Sequence, residues 1–196
     1  IDMIVHRKQL RDTVTGLDRA VLGLTAVGWV EPGKALGRGG AQPGDLLYVS
    51  GTIGDAGLGL AVAQGKAPFD KQLLNRFRRP TPRLALGAAL GGVATAGMDL
   101  SDGLLIDAER LAAASGVALE IDLDAVPLSR PAAGLDDLLA RVTAGDDYEL
   151  LFSLPPGAGS LPASAGMVTA VGRVLPGAGV SLFHAGAPVP LPTRLG

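Results

Sequence analysis

The sequence predicts an α/β or α+β domain, with helices packed on a mostly mixed sheet. Short runs rich in Val, Leu and Ile, some alternating with polar residues, recur between stretches in which apolar residues fall at helical spacing. Gly, Pro or a charge punctuates the hand-overs. Size agrees: 196 residues, 47% of them apolar, bury the core of one full domain and part of a second.

Residues 20–30 (AVLGLTAVGWV) read as a strand, and the turn at 31–33 marks a domain boundary, which we place between residues 27 and 28. After the turn at 43–45, LLYVS (46–50) is a short apolar strand leading into the Gly-rich turn 51–54. Small and aliphatic residues from Asp55 to Ala63 predict a helix that Gly65 ends. The stretch 76–82 (RFRRPTP) reads as a basic turn, because its two prolines are incompatible with a helix interior, and a helix is expected over Arg83 to Leu90. A strand from Ala94 to Leu100 precedes a helix over Asp102 to Ala114, whose Leu104, Leu105, Ala108, Leu111 and Ala112 form one stripe ahead of Ser115-Gly116. In Val117 to Leu123, Leu119, Ile121 and Leu123 alternate with Glu120 and Asp122, the pattern of a half-buried strand. A short helix over Leu135 to Arg141 follows, then strands over Asp147 to Leu154, Met167 to Val174 and Val180 to Phe183.

Composition excludes several functions. The net charge is −2, cationic residues are scattered and aromatics make up 4%, so no nucleic-acid groove or stacking platform is predicted. No apolar run approaches the roughly 20 residues of a membrane span. The absence of cysteine removes disulfides, thiolate metal sites and Cys nucleophiles, and fits a reducing cytoplasm. With only His6 and His184 and no cysteine, no Ser-His-Asp or Cys-His arrangement can be proposed, so covalent catalysis is not expected. The start at Ile1 has neither an initiator Met nor a secretory pattern, and a piece of a longer protein is expected.

Chemistry concentrates in two acidic segments. Asp99 and Asp102 bracket Ser101 where a strand hands over to a helix (MDLSDGL, 98–104). One or two carboxylates plus substrate phosphates suffice for Mg²⁺, and a helix start suits a phosphate oxygen. The alternative is that Ser101 is an N-cap and Asp102 a first-turn acid. Asp99 weighs against it, because a carboxylate in an apolar strand is costly unless paired. The second segment is GDDYEL (145–150), where strand alternation would put Asp147 and Glu149 on one side and Asp146 at the strand's mouth; a turn with solvated acids is the alternative. Arg38, within GRGGA, could reach a phosphate or simply be solvated.

Taken in order, LTAVG (24–28), GKAL (33–36), RGGAQPGD (38–45), LYVSGTIGD (47–55), MDLSDGL and GDDYEL resemble the thiamine-monophosphate kinase family from about Asp12 onwards. The resemblance implies an aminoimidazole ribonucleotide synthetase-like carboxyl-terminal domain over residues 28–196. Residues 1–27 would then be a remnant of the amino-terminal ATP-binding and dimerisation domain. It further implies ATP-dependent conversion of thiamine monophosphate to thiamine diphosphate, with Mg²⁺, in a cytoplasmic homodimer. Asp99 and Asp102 would ligand Mg²⁺, Ser101 and Arg38 would contact ATP, and Asp146 would bind substrate. Asp12 falls at the spacing of a metal and nucleotide contact, although Leu10-Arg11 stands where the family has Gly-Gly. Residues 1–196 alone are expected to be nearly inactive. Another ATP-dependent member of the superfamily, such as a selenophosphate or purine-pathway synthetase, and a non-catalytic nucleotide-binding module are the alternatives.

Overall fold

The structure is a computed structural model that describes residues 2–7, 25–133, 137–159 and 161–192. Asp12, residues 20–24 of the expected first strand and part of the helix expected over Leu135 to Arg141 lie outside the described residues. The chain divides into two units, residues 1–35 and 36–196. In the first, β1 (Asp2–Arg7) pairs antiparallel with β2 (Thr25–Val30), Asp2 opposite Val30 and Arg7 opposite Thr25.

The second unit is built on a seven-stranded mixed sheet. Its strands are β3 (Leu46–Ser50), β4 (Ala96–Leu100), β5 (Ala118–Asp122), β6 (Glu149–Leu154), β7 (Val168–Leu175), β8 (Gly179–His184) and β9 (Ala187–Val189). The spatial order is β4-β6-β3-β7-β5-β8-β9, and every pair is antiparallel except β5 with β8. The helices are α1 (Asp55–Ala63), α2 (Lys71–Arg78), α3 (Leu84–Leu90), α4 (Leu104–Ser115) and α5 (Leu138–Thr143).

Period-two alternation sorts the strand side chains between two cores. Leu47, Val49, Leu119, Ile121 and Leu151 pack with Leu104, Leu105, Ala108, Leu111 and Ala112 of α4, so the stripe read from the sequence is the buried face of that helix. Phe152 and Leu154 join Leu86 and Leu90 of α3 in a second cluster, with Tyr48 packed against it. Tyr48 and Phe152 are cross-strand partners whose rings stack at 5.6 Å. Fully burying a side chain such as Leu111 or Phe152 stabilises the fold by about 1.5–3 kcal/mol.

Three local expectations are corrected. Residues 76–78, expected in a basic turn over 76–82, instead close a helix over Lys71–Arg78: Asp70 caps it by accepting from the Leu73 N–H at 2.9 Å, and Pro80 and Pro82 lie beyond its end. Helix α4 starts at Leu104, two residues later than expected, because Gly103 holds φ 110° and ψ 150°, outside helical space. Ser101 is therefore not the N-cap, and Asp102 is not in the first turn. Strand β6 starts at Glu149, because Asp146 and Tyr148 take positive φ and interrupt an extended run from Asp147. Strands β1 and β9, short and without a strong alternating pattern, were not foreseen. No helix among the described residues is long and apolar enough to cross a membrane.

Candidate functional site

The turn between β4 and α4 presents Asp99, Ser101 and Asp102. Asp99 is half-buried on a strand whose other residues are buried, opposite Leu150 of β6. Among the described residues its carboxylate has no hydrogen bond or ion pair. Ser101 is half-buried and Asp102 exposed.

Asp107, fully buried in the first turn of α4, shapes this corner. Its Oδ2 accepts from the backbone N–H groups of Ser101 at 2.9 Å and Asp102 at 3.0 Å, and its Oδ1 from Arg110 at 2.8 Å. Arg110 also pairs with Asp102. Burial pushes the Asp107 carboxyl above the usual carboxylate range, against the opposing pull of those three donors.

The second acidic segment packs directly on this turn. The Asp146 N–H donates to the Ser101 carbonyl at 2.9 Å, and the Tyr148 N–H to the Leu100 carbonyl at 2.8 Å. Two glycines permit the approach. A Cβ on Gly103 would lie 2.7 Å from the Thr143 carbonyl oxygen, and one on Gly145 would lie 2.7 Å from that of Ser101. Asp146 is exposed at φ 70°, and the Tyr148 hydroxyl donates to its Oδ1 at 3.3 Å. Asp99, Ser101, Asp102 and Asp146 thus share one corner. Arg38 is exposed, and its carbonyl accepts from Ser115 at the carboxyl-terminal end of α4, away from Asp102. Among the described residues no group of three or more acidic or histidine side chains is gathered for a metal.

Behind the corner lies a charge network that sequence reasoning missed. Asp147 is buried and caps α1: its Oδ2 accepts from the Gly54 N–H at 2.6 Å and its Oδ1 from the Ala56 N–H at 3.0 Å. Burial pushes its carboxyl up to about 6, despite these bonds and nearby Arg76. Glu149, fully buried, accepts from Ser50 at 2.5 Å, from Arg76 at 2.7 Å and from Arg83 through Nε at 2.6 Å and Nη2 at 2.5 Å. Arg76 therefore pins α2 to the sheet. No local pattern announces these partners, since each comes from a distant part of the chain. His184 pairs with Asp124 at 2.8 Å, away from the corner.

The chain matches a known family. The family model for AIR synthase related protein, C-terminal domain, matches residues 42–186. The chain belongs to that family. Asp99, Ser101, Asp102 and Asp146 fall within the matched residues, while Arg38 and Asp12 precede them. Among relatives of this AIR synthase-related domain, the thiamine-monophosphate kinase of Caulobacter vibrioides is 40% identical over 199 residues, covering 94% of this chain and 56% of its own length. The crystal structure of thiamine-monophosphate kinase from Stenotrophomonas maltophilia K279a is 35% identical with a TM-score of 0.71, covering 84% of this chain and 57% of that one. AaThiL complexed with AMPPCP and TMP is 36% identical with a TM-score of 0.67, covering 79% and 52%. The chain spans about half the length of the curated relatives it matches.

Proposed function

We propose that this chain supplies the carboxyl-terminal half of an ATP-dependent kinase that converts thiamine monophosphate to thiamine diphosphate. One observation carries the reading: the Asp99–Asp102 turn and the Gly145–Tyr148 segment interlock through two backbone hydrogen bonds, in a chain similar to a protein solved with AMPPCP and TMP. We read TMP there as thiamine monophosphate.

In this proposal Asp99 and Asp102 hold Mg²⁺. The donors fit: carboxylate oxygens are hard ligands, Asp99 has no partner among the described residues to compete, Asp102 would exchange its exposed pairing with Arg110 for the metal, and two carboxylates with substrate phosphates can complete a magnesium site. Bound there, Mg²⁺ would supply charge screening between two polyanions. Ser101 and Arg38 contact the nucleotide, and Asp146 holds the substrate. The acceptor is a phosphate oxygen already anionic near neutral pH, so no general base is required, and positioning carries the rate. A homodimer and a cytoplasmic setting belong to the same proposal. Exposed Val27 and Trp29 on β2 offer apolar surface for the former.

The test is formation of thiamine diphosphate from ATP and thiamine monophosphate by this chain fused to the amino-terminal half of the Caulobacter relative. Product from the wild type, and at least about a hundredfold less from Asp99→Asn, would support the proposal. Phosphate transfer only to a different acceptor would overturn it. The 196 residues alone should turn over far more slowly than the fusion.

A further inference from the structure

Arg110 brings a cation to the amino-terminal end of α4. It lies one turn after Asp107, and its side chain leans back over the first turn, as helical side chains do, so that Nη1 donates both to the Asp107 Oδ1 at 2.8 Å and to Asp102. A helix start ordinarily attracts acids and repels cations. Asp102 and Asp107 therefore hold Arg110 where the α4 dipole disfavours it.

The two acids hold it differently. Asp107 is fully buried and both of its oxygens are committed, Oδ2 to two backbone N–H groups and Oδ1 to Arg110, so it is a fixed anchor. Asp102 and Arg110 are both exposed, and a solvated pair of this kind is weak. Nε and Nη2 of Arg110 have no acceptor among the described residues. Arg110 is thus tethered by its buried partner, loosely paired with the exposed one, and left with spare donors beside the Asp99–Asp102 turn.

We infer that Arg110 is a nucleotide-binding residue that exchanges Asp102 for a phosphate oxygen, staying anchored on Asp107 throughout. Without nucleotide it neutralises Asp102. When nucleotide and Mg²⁺ arrive together, Arg110 yields Asp102 to the metal and turns its Nε–Nη2 edge to the phosphate, an oxyanion that its planar fork matches. Mg²⁺ alone would have to evict Arg110 and leave two cations side by side, whereas the nucleotide supplies the anion that Arg110 loses. Arg110 in this way makes metal and nucleotide affinity depend on each other. The inference rests on the reading of this corner as a magnesium–nucleotide half-site.

Calorimetric titration of the chain with Mg²⁺ alone and with ATP in excess Mg²⁺, in wild type, Arg110→Met and Asp102→Asn, tests it. Arg110→Met should bind Mg²⁺ alone about threefold to fivefold more tightly, because the competitor is gone, and Mg²⁺–ATP about tenfold or more weakly. A merely structural Arg110 would not move the two affinities in opposite directions: weakening of both, tightening of both or no change overturns the inference. Mg²⁺ affinity indifferent to Asp102→Asn would remove the half-site itself, a failure distinct from a half-site that needs Asp102 but ignores Arg110→Met. Should Arg110→Met not fold, the Arg110 Nε–H resonance of the wild type decides: a shift on adding Mg²⁺–ATP supports the exchange, and an unmoved resonance overturns it.

Discussion

The buried carboxylate of Asp107 holds the Ser101 N–H at 2.9 Å, so the turn that presents Asp99 and Asp102 is fixed from inside α4. The same carboxylate takes the Asp102 N–H and Arg110. Replacing it removes the buried acceptor that the half-buried Ser101 and the exposed Asp102 and Arg110 share. Asp107→Ala should cost about 2–4 kcal/mol, more than a neutral hydrogen bond because the acceptor is charged. Urea unfolding measures this, and a loss under about 1 kcal/mol would mean that the turn is set by Gly103 and Gly145 alone.

Gly103 is the next test of the interlock. At φ 110°, with the Thr143 carbonyl oxygen 2.7 Å from where a Cβ would stand, any side chain meets both strain and backbone. Gly103→Ala should destabilise the domain by about 2–4 kcal/mol. An unchanged melting temperature would show that the turn relaxes freely.

Glu149 neutralises Arg76 and Arg83 where water does not reach its carboxylate. Glu149→Gln keeps the shape but strands Arg83 and leaves Arg76 only the longer pair with Asp55 at 3.9 Å, and breaking a buried pair from one side costs about 3–5 kcal/mol. Hydrogen exchange should show α2 losing protection first, since Arg76 ties it to β6. Uniform protection across α2 and the sheet would contradict that.

Asp147 provides a pH signature. Its folded-state carboxyl titrates at about 6 against an ordinary value of 3.8, so the folded chain binds the proton more tightly than the unfolded chain. The stability this contributes is full below about pH 4 and is lost as pH rises through 6, about 3 kcal/mol across that window. Asp147→Asn should remove this component, so that the stability difference between wild type and variant changes with pH between 4 and 6. A difference constant over that interval would place the Asp147 carboxyl at its ordinary value.

Much of the fold was legible because its signals are local. The α4 stripe, the alternation of Leu119 and Ile121 in β5, and the Gly65 and Gly116 stops depend on residues a few positions apart. Helix α2 was obscured because Pro80 and Pro82 follow its last turn within four residues and because only Leu73 of its eight residues is buried. The two acidic motifs, Asp99 to Asp102 and Asp146, were legible one by one, but their meeting in one corner was not, because it depends on the Asp146 N–H reaching the Ser101 carbonyl across the fold. The residues that hold the corner were not legible either. Asp107 looks like a polar residue on a helix, and Glu149 like the polar phase of a strand, until the fold delivers Arg110, Arg76 and Arg83 to them.

The central claim is that Asp99 and Asp102 form a magnesium-dependent nucleotide half-site. Calorimetric titration of ATP into the chain, with Mg²⁺ and then with EDTA, in wild type and in Asp99→Asn, tests it most directly. Binding that requires Mg²⁺ and weakens about tenfold or more in Asp99→Asn is the predicted result. ATP affinity indifferent both to Mg²⁺ and to Asp99→Asn would contradict it.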